Sequence, residues 1–320
     1  MFDFFGTILA PFKWLVSWIM VLFHDAFTFL GLPSSSGWTW TLSIIGLVLV
    51  IRAALIPVFV KQIKAQRGMQ ALQPDMKKLQ AKYKGKTDQL SRQAMAQEQM
   101  ALYKEHGTNP FSACLPMVIQ MPFFFSLFQV LSGVSKANQS NEGIGALSQQ
   151  QVQQFDQAQI FGAPLSEAFL PQVQGGNVNA AVVILSILMI VAMTASQFIT
   201  QKQIMAKNMS DDAMASPFMK QQKMMLYVLP LVFGIGGINF PIGVLIYWTT
   251  TNLWTMGQQF FVIRRMPTPG SPAYREFQQR RVTKGLPLLG ASKKTEPAVE
   301  EIVDPKGQRP QPQRKNRKRK

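Results

Sequence analysis

Cysteine and histidine are scarce in this chain of 320 residues. It has one cysteine, Cys114, and two histidines, His24 and His106, which lie far apart in the sequence. A single cysteine excludes an internal disulfide and a cysteine cluster for metal. A metal site needs several convergent ligands, which two distant histidines do not supply. We therefore expect no disulfide, no metal and no cofactor.

Ionisable groups are also missing from almost all of the long apolar runs. None of these runs contains Asp, Glu or His. An intramembrane protease needs paired Asp residues, or Ser with His, inside its spans. A proton-coupled transporter needs an acidic relay. Neither class is expected, and we expect the chain not to be an enzyme. Its first residues, MFDFFG, carry an acid and no basic residue, which does not predict a cleavable signal peptide.

Strong segregation of apolar and polar blocks is the main positive feature. The chain is 47% hydrophobic with a mean hydropathy of +0.07. A bilayer core about 30 Å thick requires roughly 20 apolar residues in a helix. Long alternating strand patterns are missing, so the predicted fold class is an all-α integral membrane protein with five transmembrane helices. The five predicted spans are 38–60, 111–133, 180–200, 224–240 and 241–263.

The N-terminal segment, residues 1–37, is apolar and aromatic but is interrupted by Lys13, His24 and Asp25. We interpret it as an amphipathic helix in the outer interface, with Trp14 and Trp18 at headgroup depth. The alternative is an additional membrane span.

Lys and Arg are unevenly distributed among the segments between the spans. Residues 61–110 contain ten and residues 201–223 contain four, whereas residues 134–179 contain one. Residues 264–320 contain sixteen. Cytoplasmic loops carry the excess of basic residues. We therefore expect 1–37 and 134–179 outside and the C-terminus in the cytoplasm. The tail, 264–320, lacks apolar periodicity and is predicted to be disordered.

The 61–110 segment has a helical repeat and is predicted to be a cytoplasmic helical hairpin. Pro74 marks a helix start or kink, and a second helix is expected over 89–105 after a break at 85–88. Apolar residues spaced by three and four form one helical stripe. The stripe consists of Met69, Leu72, Met76, Leu79 and Tyr83. The alternative is a solvated connection between spans.

Arg52 is the one formal charge in the predicted 38–60 span. At about 1.5 Å per residue it lies roughly 12 Å from Val60, well inside the hydrocarbon. An arginine there costs between about 3 and more than 10 kcal/mol. Three arrangements are open: the side chain snorkels, it bonds the Ala53 carbonyl freed by Pro57, or it faces water. We favour a hydrophilic groove.

Neutral polar residues on other spans are suited to line such a groove. The alternative for each of them is a hydrogen bond that ties two helices together. The expected groove residues are Arg52, Gln120, Gln197, Tyr247, Trp248, Thr251, Asn252 and Gln258.

Several short stretches, taken in order, resemble the YidC membrane protein insertases. The resemblance extends from about Leu9 to Gln259. The matching stretches are IRAALIP at 51–57, QIK at 62–64, MQALQPDMKKL at 69–79, YKEHGTNP at 103–110, QMP at 120–122 and NFPIG at 239–243, together with Tyr83, Leu115, Pro116, Tyr247, Trp248 and Asn252.

This resemblance implies five core spans around a groove open to the cytoplasm and to lipid. It places the groove arginine at Arg52, the hairpin at 61–108 and the interfacial helix at about 8–31. It also implies the short bacterial form without a large external domain, located in the plasma membrane. The implied function is to insert, fold and help assemble small membrane proteins, alone or with the Sec translocon.

The expected partners are nascent membrane proteins, the Sec translocon, the ribosome and signal recognition machinery, and anionic phospholipids. The basic run at 314–320, RKNRKRK, suits ribosomal RNA or anionic lipid through phosphate charge. Two functional alternatives are an anion or small-solute channel that uses Arg52, and an accessory chaperone of the general secretion channel.

Overall fold

The computed structural model is almost entirely helical. It describes residues 2–109, 115–175, 178–209, 224, 227–228, 230–232 and 234–288. The helices are α1 (Phe2–Phe29), α2 (Gly37–Ala54), α3 (Ile56–Ala71), α4 (Gln73–Lys82), α5 (Gln89–Glu105), α6 (Leu115–Gln139), α7 (Gln149–Gln157), α8 (Phe169–Gln174), α9 (Ala180–Asn208), α10 (Ile242–Arg265) and α11 (Pro272–Thr283).

The predicted all-α membrane class is confirmed. Four stretches in the described residues are long and apolar enough to cross a membrane: Gly6–Phe29, Gly37–Ala54, Val118–Gln139 and Ala180–Asn208. The predicted 224–240 span lies partly outside the described residues; of those described, 224, 227–228, 230–232 and 234–237 are helical, 238–239 form a turn and 240 lies in a bend. Two strands of two residues each, β1 (Gln159–Ile160) and β2 (Ala163–Pro164), pair antiparallel.

The predicted 38–60 span differs from the structure, because two helices meet at Leu55. Helix α2 ends at Ala54 and α3 begins at Ile56. Pro57 has no backbone N–H and therefore cannot bond the Ala53 carbonyl four residues earlier. The Leu55 N–H still donates to Ile51 O at 3.0 Å. Helix α3 then continues through Ala71, well beyond position 60.

The largest buried cluster is formed by the N-terminal part of α2 and the helices around it. Trp40, Ile44 and Leu47 of α2 are fully buried together with Phe155 of α7 and Ile242 of α10. The Trp40 and Phe155 rings meet edge to face at 5.2 Å. This packing fixes the end of the bundle at which α2 begins.

Helix α1 lies against α2 and α6. The Phe12 ring contacts the Phe123 ring edge to face at 5.4 Å, and the His24 imidazole stacks on Trp40 at 4.0 Å. His24 is buried, and its Nε2 hydrogen-bonds the Ser34 carbonyl at 2.9 Å. The Gly6–Phe29 part of α1 is long and apolar enough to cross a membrane, as the alternative interpretation of residues 1–37 requires.

Asp156 ties α7 to the C-terminal end of α6. Its carboxylate accepts hydrogen bonds from Ser135 Oγ at 2.7 Å and Asn138 Nδ2 at 2.8 Å. Burial raises the pKa of Asp156, but the hydrogen bonds from Ser135, Ser166 and Asn138 outweigh burial and hold the pKa below its ordinary value. The carboxylate therefore stabilises this connection in its charged form.

The prediction of disorder over 264–320 is wrong for Pro272–Thr283, which form α11. Pro272 occupies the first helical position, where its missing N–H is no loss. The Ser271 hydroxyl accepts from the Tyr274 N–H at 3.2 Å and so satisfies one free donor of the first turn. These capping signals outweigh the polar composition.

The chain divides into two units, the second beginning at Gln278, and residues 289–320 lie outside the described part.

Gly46 permits the close approach of α1 to α2. Adding a methyl group at this position should therefore destabilise the contact between the two helices. A Cβ built on Gly46 would lie 2.8 Å from the Phe23 ring. We expect Gly46→Ala to lower the free energy of unfolding by about 1–3 kcal/mol through overpacking. Thermal unfolding in detergent micelles measures this loss.

The matched control for this variant is Gly257→Ala in α10, because nothing lies within 4 Å of a Cβ built on Gly257. Combining Gly46→Ala with Phe23→Leu should recover most of the lost stability. Equal stability of Gly46→Ala and the wild type would contradict the contact.

Candidate functional site

Arg52 lies in the last turn of α2 and is enclosed by the bundle. Its side chain is only 8% exposed, and its Nε has no hydrogen-bond partner among the residues that the structure describes. In the part of the chain that the structure describes, no carboxylate lies within 4 Å of the guanidinium. Its Cζ lies 5.7 Å from the centre of the Phe59 ring, a cation–π distance. The conformation thus encloses a cation that has no counter-ion among the described residues.

Gln120 and Tyr247 bring α6 and α10 to the arginine. Gln120 Nε2 donates to the Tyr247 hydroxyl at 3.1 Å, while Gln120 Oε1 is buried without a partner. The Tyr247 hydroxyl is also an electrostatic neighbour of the Arg52 guanidinium. Three of the predicted groove residues, from three helices, are therefore together in the structure.

The residues predicted on α9 and the middle of α10 divide into two kinds. Gln197 Oε1 is buried and has no hydrogen-bond partner among the described residues, whereas the Thr251 hydroxyl lies beside the Tyr247 hydroxyl and belongs to the same polar group. Asn252 Nδ2 instead donates to the Met193 carbonyl at 3.3 Å. Asn252 therefore ties α10 to α9, which is the alternative role that polar residues have in helix bundles.

Trp248 belongs to an aromatic cluster. Its ring stacks on Phe240 at 5.5 Å and meets Phe124 edge to face at 5.4 Å. Phe124 also lies 6.3 Å from the Tyr247 ring. The cluster therefore borders the polar group around Arg52 and supports the position of Tyr247.

Gln258 lines a cavity of about 430 Å³ between α3 and α10. Its Oε1 accepts from Trp254 Nε1 at 3.1 Å, so its polar end is satisfied within its own helix. The remaining wall is apolar and includes Phe59, Leu253 and Phe261. Since Phe59 also contacts Arg52, one aromatic ring touches both the cavity and the guanidinium.

Unpaired buried polar atoms are concentrated in the core helices. Such atoms cost roughly 1–3 kcal/mol each unless they find a partner, and buried water is the usual partner when no protein group is available. The arrangement therefore favours a hydrated polar interior. The atoms are Trp40 Nε1, Thr41 Oγ1, Arg52 Nε, Gln120 Oε1, Ser186 Oγ, Thr194 Oγ1, Gln197 Oε1, Thr249 Oγ1 and Thr251 Oγ1.

The predicted hairpin stripe is divided between two helices. Met69 lies near the end of α3, whereas Met76 and Leu79 lie on α4. Leu72 is the N-cap of α4, with Pro74 in the first turn, and Tyr83 is its C-cap. Leu72, Met76 and Leu79 are buried. Pro74 therefore marks a helix start, one of the two possibilities that the sequence left open.

Glu98 links the two antiparallel helices of the hairpin. It accepts from Lys82 Nζ at 2.6 Å and from the Tyr83 hydroxyl at 2.7 Å. These hydrogen bonds lower the pKa of Glu98 and raise the pKa of Lys82. Helix α5 has no buried residue, so this polar link supplements a small apolar contact.

Sequence reasoning missed Phe59 and Glu98. Phe59 follows Arg52 by seven residues, a spacing that returns to the same face of a helix, and this periodicity was the available signal. Glu98 had no signal of its own, because its link to Lys82 depends on how the two helices are aligned. A second cavity of about 570 Å³ lies between α9 and described residues of the predicted 224–240 span, and its lining includes Thr194, Phe198 and Gly234.

The apolar helices around a buried cation define a multi-span membrane protein. The family model described as "60Kd inner membrane protein" matches residues 31–269. The chain therefore belongs to the YidC family of membrane protein insertases, whose curated members among its relatives are bacterial.

Curated relatives carry the description "Membrane protein insertase YidC". The protein of Streptomyces avermitilis is 49% identical over 83% of this chain, and the match spans 60% of the relative's own length. The protein of Tropheryma whipplei (strain Twist) is 43% identical over 99% of this chain and 97% of the relative. The Bifidobacterium longum protein is 38% identical over 99% of this chain, and the match spans 96% of the relative's own length.

A solved structure described as an active YidC insertase crystal structure, with the first transmembrane domain resolved, matches 80% of this chain. The match covers 46% of that chain at 20% identity, with a TM-score of 0.44.

Replacing Tyr247 by Phe tests the polar contact beside Arg52. The variant removes the Tyr247 hydroxyl, which accepts a hydrogen bond from Gln120 Nε2. The buried Gln120 amide then loses this partner. We expect the free energy of unfolding to fall by about 1 kcal/mol or somewhat more. Thermal unfolding in detergent measures the change. Tyr227→Phe is the control, because Tyr227 is exposed, and equal losses in both variants would contradict a specific contact.

The Glu98 link makes the hairpin sensitive to acid. Because the folded pKa of Glu98 is lowered, its contribution is present above the unfolded pKa of about 4.3 and is lost as pH falls through the folded value. We expect amide exchange in α4 and α5, normalised to intrinsic rates, to increase on acidification through this range.

In Glu98→Gln, amide exchange in α4 and α5 should be faster than in the wild type already at pH 7. It should then increase less than in the wild type when the pH is lowered. Glu105→Gln, at the end of α5, provides the matched control and should behave like the wild type. An acid response that persists unchanged in Glu98→Gln would assign it to other groups.

Proposed function

We propose that this chain inserts small membrane proteins from the cytoplasmic side and uses the polar group around Arg52 as a transient site for the polar part of the substrate. The single observation that supports the proposal is Arg52 itself, an enclosed cation with no carboxylate partner among the described residues. Membership of the YidC family supplies the general activity.

The energetic basis is a shorter passage through hydrocarbon. A polar tail that crosses a full bilayer leaves its backbone groups without partners, at several kcal/mol for each. A hydrated space inside the bundle that includes Arg52, Gln120 and Tyr247 offers such a tail hydrogen bonds partway. The apolar segment of the substrate then moves into lipid, and its burial completes the step without nucleotide.

The enclosed conformation of Arg52 fits a resting state of this mechanism. Phe59 covers the guanidinium and also forms part of the cavity wall between α3 and α10. An arriving acidic group displaces a cation–π contact worth about 0.5–2 kcal/mol. It gains an attraction of about 4 kcal/mol at 4 Å for an effective dielectric constant of 20. The exchange favours the substrate where its carboxylate keeps part of its hydration in the polar space, because full desolvation would cost several kcal/mol.

The other partners are part of the same proposal. The hairpin with its buried Met76 presents Met and Gln residues, which suit a surface that accepts varied sequences, and it receives substrate or the targeting machinery. The C-terminus lies in the cytoplasm, where the basic run 314–320 binds ribosomal RNA or anionic phospholipids. Cooperation with the Sec translocon is compatible with this mechanism and is not required by it.

Variants at Arg52 test the proposed site. In liposomes that contain only this protein, Arg52→Ala should slow insertion of a small substrate with an acidic tail at least about tenfold, which corresponds to about 1.4 kcal/mol. Arg52→Lys keeps the charge and should have a mild effect. A matched substrate whose acidic residues are changed to amides should be insensitive to both variants.

Full activity of Arg52→Ala would remove the arginine from the mechanism. Flux of a small anion through the same liposomes, lost in Arg52→Ala, would favour the channel instead. Insertion that occurs only when the secretion channel is added would favour the accessory chaperone.

Truncation tests the proposed role of the tail. Removing residues 289–320 leaves α11 intact and deletes the basic run at 314–320. We expect co-sedimentation with ribosomes to weaken several-fold and to lose much of its salt dependence, because each phosphate contact releases counterions. Unchanged binding of the truncated protein would contradict the role.

A further inference from the structure

The turn between β1 and β2 places a large aromatic residue in an unfavourable backbone conformation. Phe161 has φ of 51° and Gly162 has φ of 78°. A positive φ is unusual for a bulky residue, and two-residue turns of this type favour Asn or Gly at both positions. An unfavourable residue of this kind is maintained where the surrounding structure or a function compensates for it.

Burial within the protein does not compensate for this conformation. Phe161 is 73% exposed, and its ring contact is with Trp38, edge to face at 5.4 Å. Trp38 is itself 50% exposed. In contrast to the exposed Phe161, the strand residues on either side of the turn, Ile160 and Ala163, are buried. The β1–β2 turn is thus anchored by its buried strand residues, while its Phe161 ring and the adjoining Trp38 ring of α2 are both exposed.

The β1–β2 turn is fixed to the beginnings of two membrane helices, α2 and α9. A Cβ on Gly37, the first residue of α2, would collide with the Gln159 carbonyl oxygen. Asn179, the N-cap of α9, donates from Nδ2 to the Gly162 carbonyl at 3.2 Å. Both helices are long and apolar enough to span the bilayer. The rings therefore lie at the depth where two spans enter the membrane.

We propose that Phe161 and Trp38 form a lipid anchor that inserts at the boundary between headgroups and acyl chains, on the membrane face where α2 and α9 begin. Trp is enriched at this depth, and Phe is among the residues that interfacial segments bury at the boundary between headgroups and acyl chains. Two rings are too small an area for a protein partner, since stable interfaces bury about 800 Å² on each side. The lipid covers the exposed rings and compensates for the positive φ of Phe161.

Spin-label accessibility in liposomes of phosphatidylcholine and phosphatidylglycerol tests the depth. Nitroxide labels are attached to Phe161→Cys or Glu142→Cys, each in a Cys114→Ser background. Glu142 is an exposed acid in the same connection between α6 and α9. We expect the label at 161 to be several-fold more accessible to oxygen than to a water-soluble nickel complex, and the label at 142 to show the reverse. Nickel accessibility at 161 equal to that at 142 would overturn the anchor.

A second variant separates anchoring from packing. Asn tolerates a positive φ, so Phe161→Asn should keep or raise the melting temperature in detergent. In liposomes the same change should raise nickel accessibility of a label at Trp38→Cys about two-fold or more. A lower melting temperature together with unchanged accessibility at 38 would show that Phe161 is a packing residue and would also overturn the proposal.

Discussion

The solvation of one positive charge is the constraint on which the arrangement of the core depends. Arg52 lies in an apolar helix, is almost fully enclosed, and has no carboxylate within reach among the described residues. Moving a charge from water into a medium of low dielectric constant costs many kcal/mol unless polar groups replace the water. The neighbouring helices supply neutral groups, Gln120 and Tyr247, together with the face of the Phe59 ring.

Neutral partners have a consequence that a carboxylate would not have. A buried ion pair is strongly destabilised when either member is removed or displaced. A guanidinium held by dipoles and an aromatic face keeps most of its attraction for an incoming anion, since no formal negative charge already neutralises it. The same feature that makes Arg52 expensive to bury therefore leaves its charge unneutralised, which is the property that the proposed function requires.

Packing is distributed unequally along the bundle, and the distribution matches this role. Large, fully buried side chains such as Trp40, Phe155 and Leu165 are concentrated where α2 and α10 begin. Towards the other ends of these helices, the α3–α10 interface contains a cavity, and α5 has no buried residue. Regions with few buried apolar contacts open at lower free energy. One end of the molecule is thus rigid while the end near Arg52 is the easier one to rearrange.

Sequence patterns predicted the features that depend on neighbours in the chain. Membrane-length apolar runs, the helix boundary at Pro74 and the lack of acidic residues in the predicted spans around Arg52 are all local properties. The break at Leu55 was not predicted, because a proline in an apolar run is compatible both with a continuous helix that has one freed carbonyl, at Ala53, and with two separate helices. Helix α11 was obscured by polar composition, although Ser271 and Pro272 form a recognisable helix start.

The parts of the site that depend on alignment between helices could not be predicted in the same way. Gln120, Asn252 and Gln258 are similar amide side chains on spans, yet only Gln120 reaches the group around Arg52. Asn252 bonds a backbone carbonyl of α9, and Gln258 bonds a tryptophan of its own helix. Rotation of each helix about its axis decides between these outcomes, and short amide side chains carry no sequence signal for that rotation.

The break at Leu55 connects these observations. Because α2 and α3 are separate helices, the segment that holds Phe59 can shift relative to Arg52 without distorting the tightly packed beginning of α2. Phe59 touches the guanidinium on one side and lines the cavity against α10 on the other. The proline-induced discontinuity at Leu55, three residues after the buried charge, thus places the ring that covers the guanidinium on a separate helix.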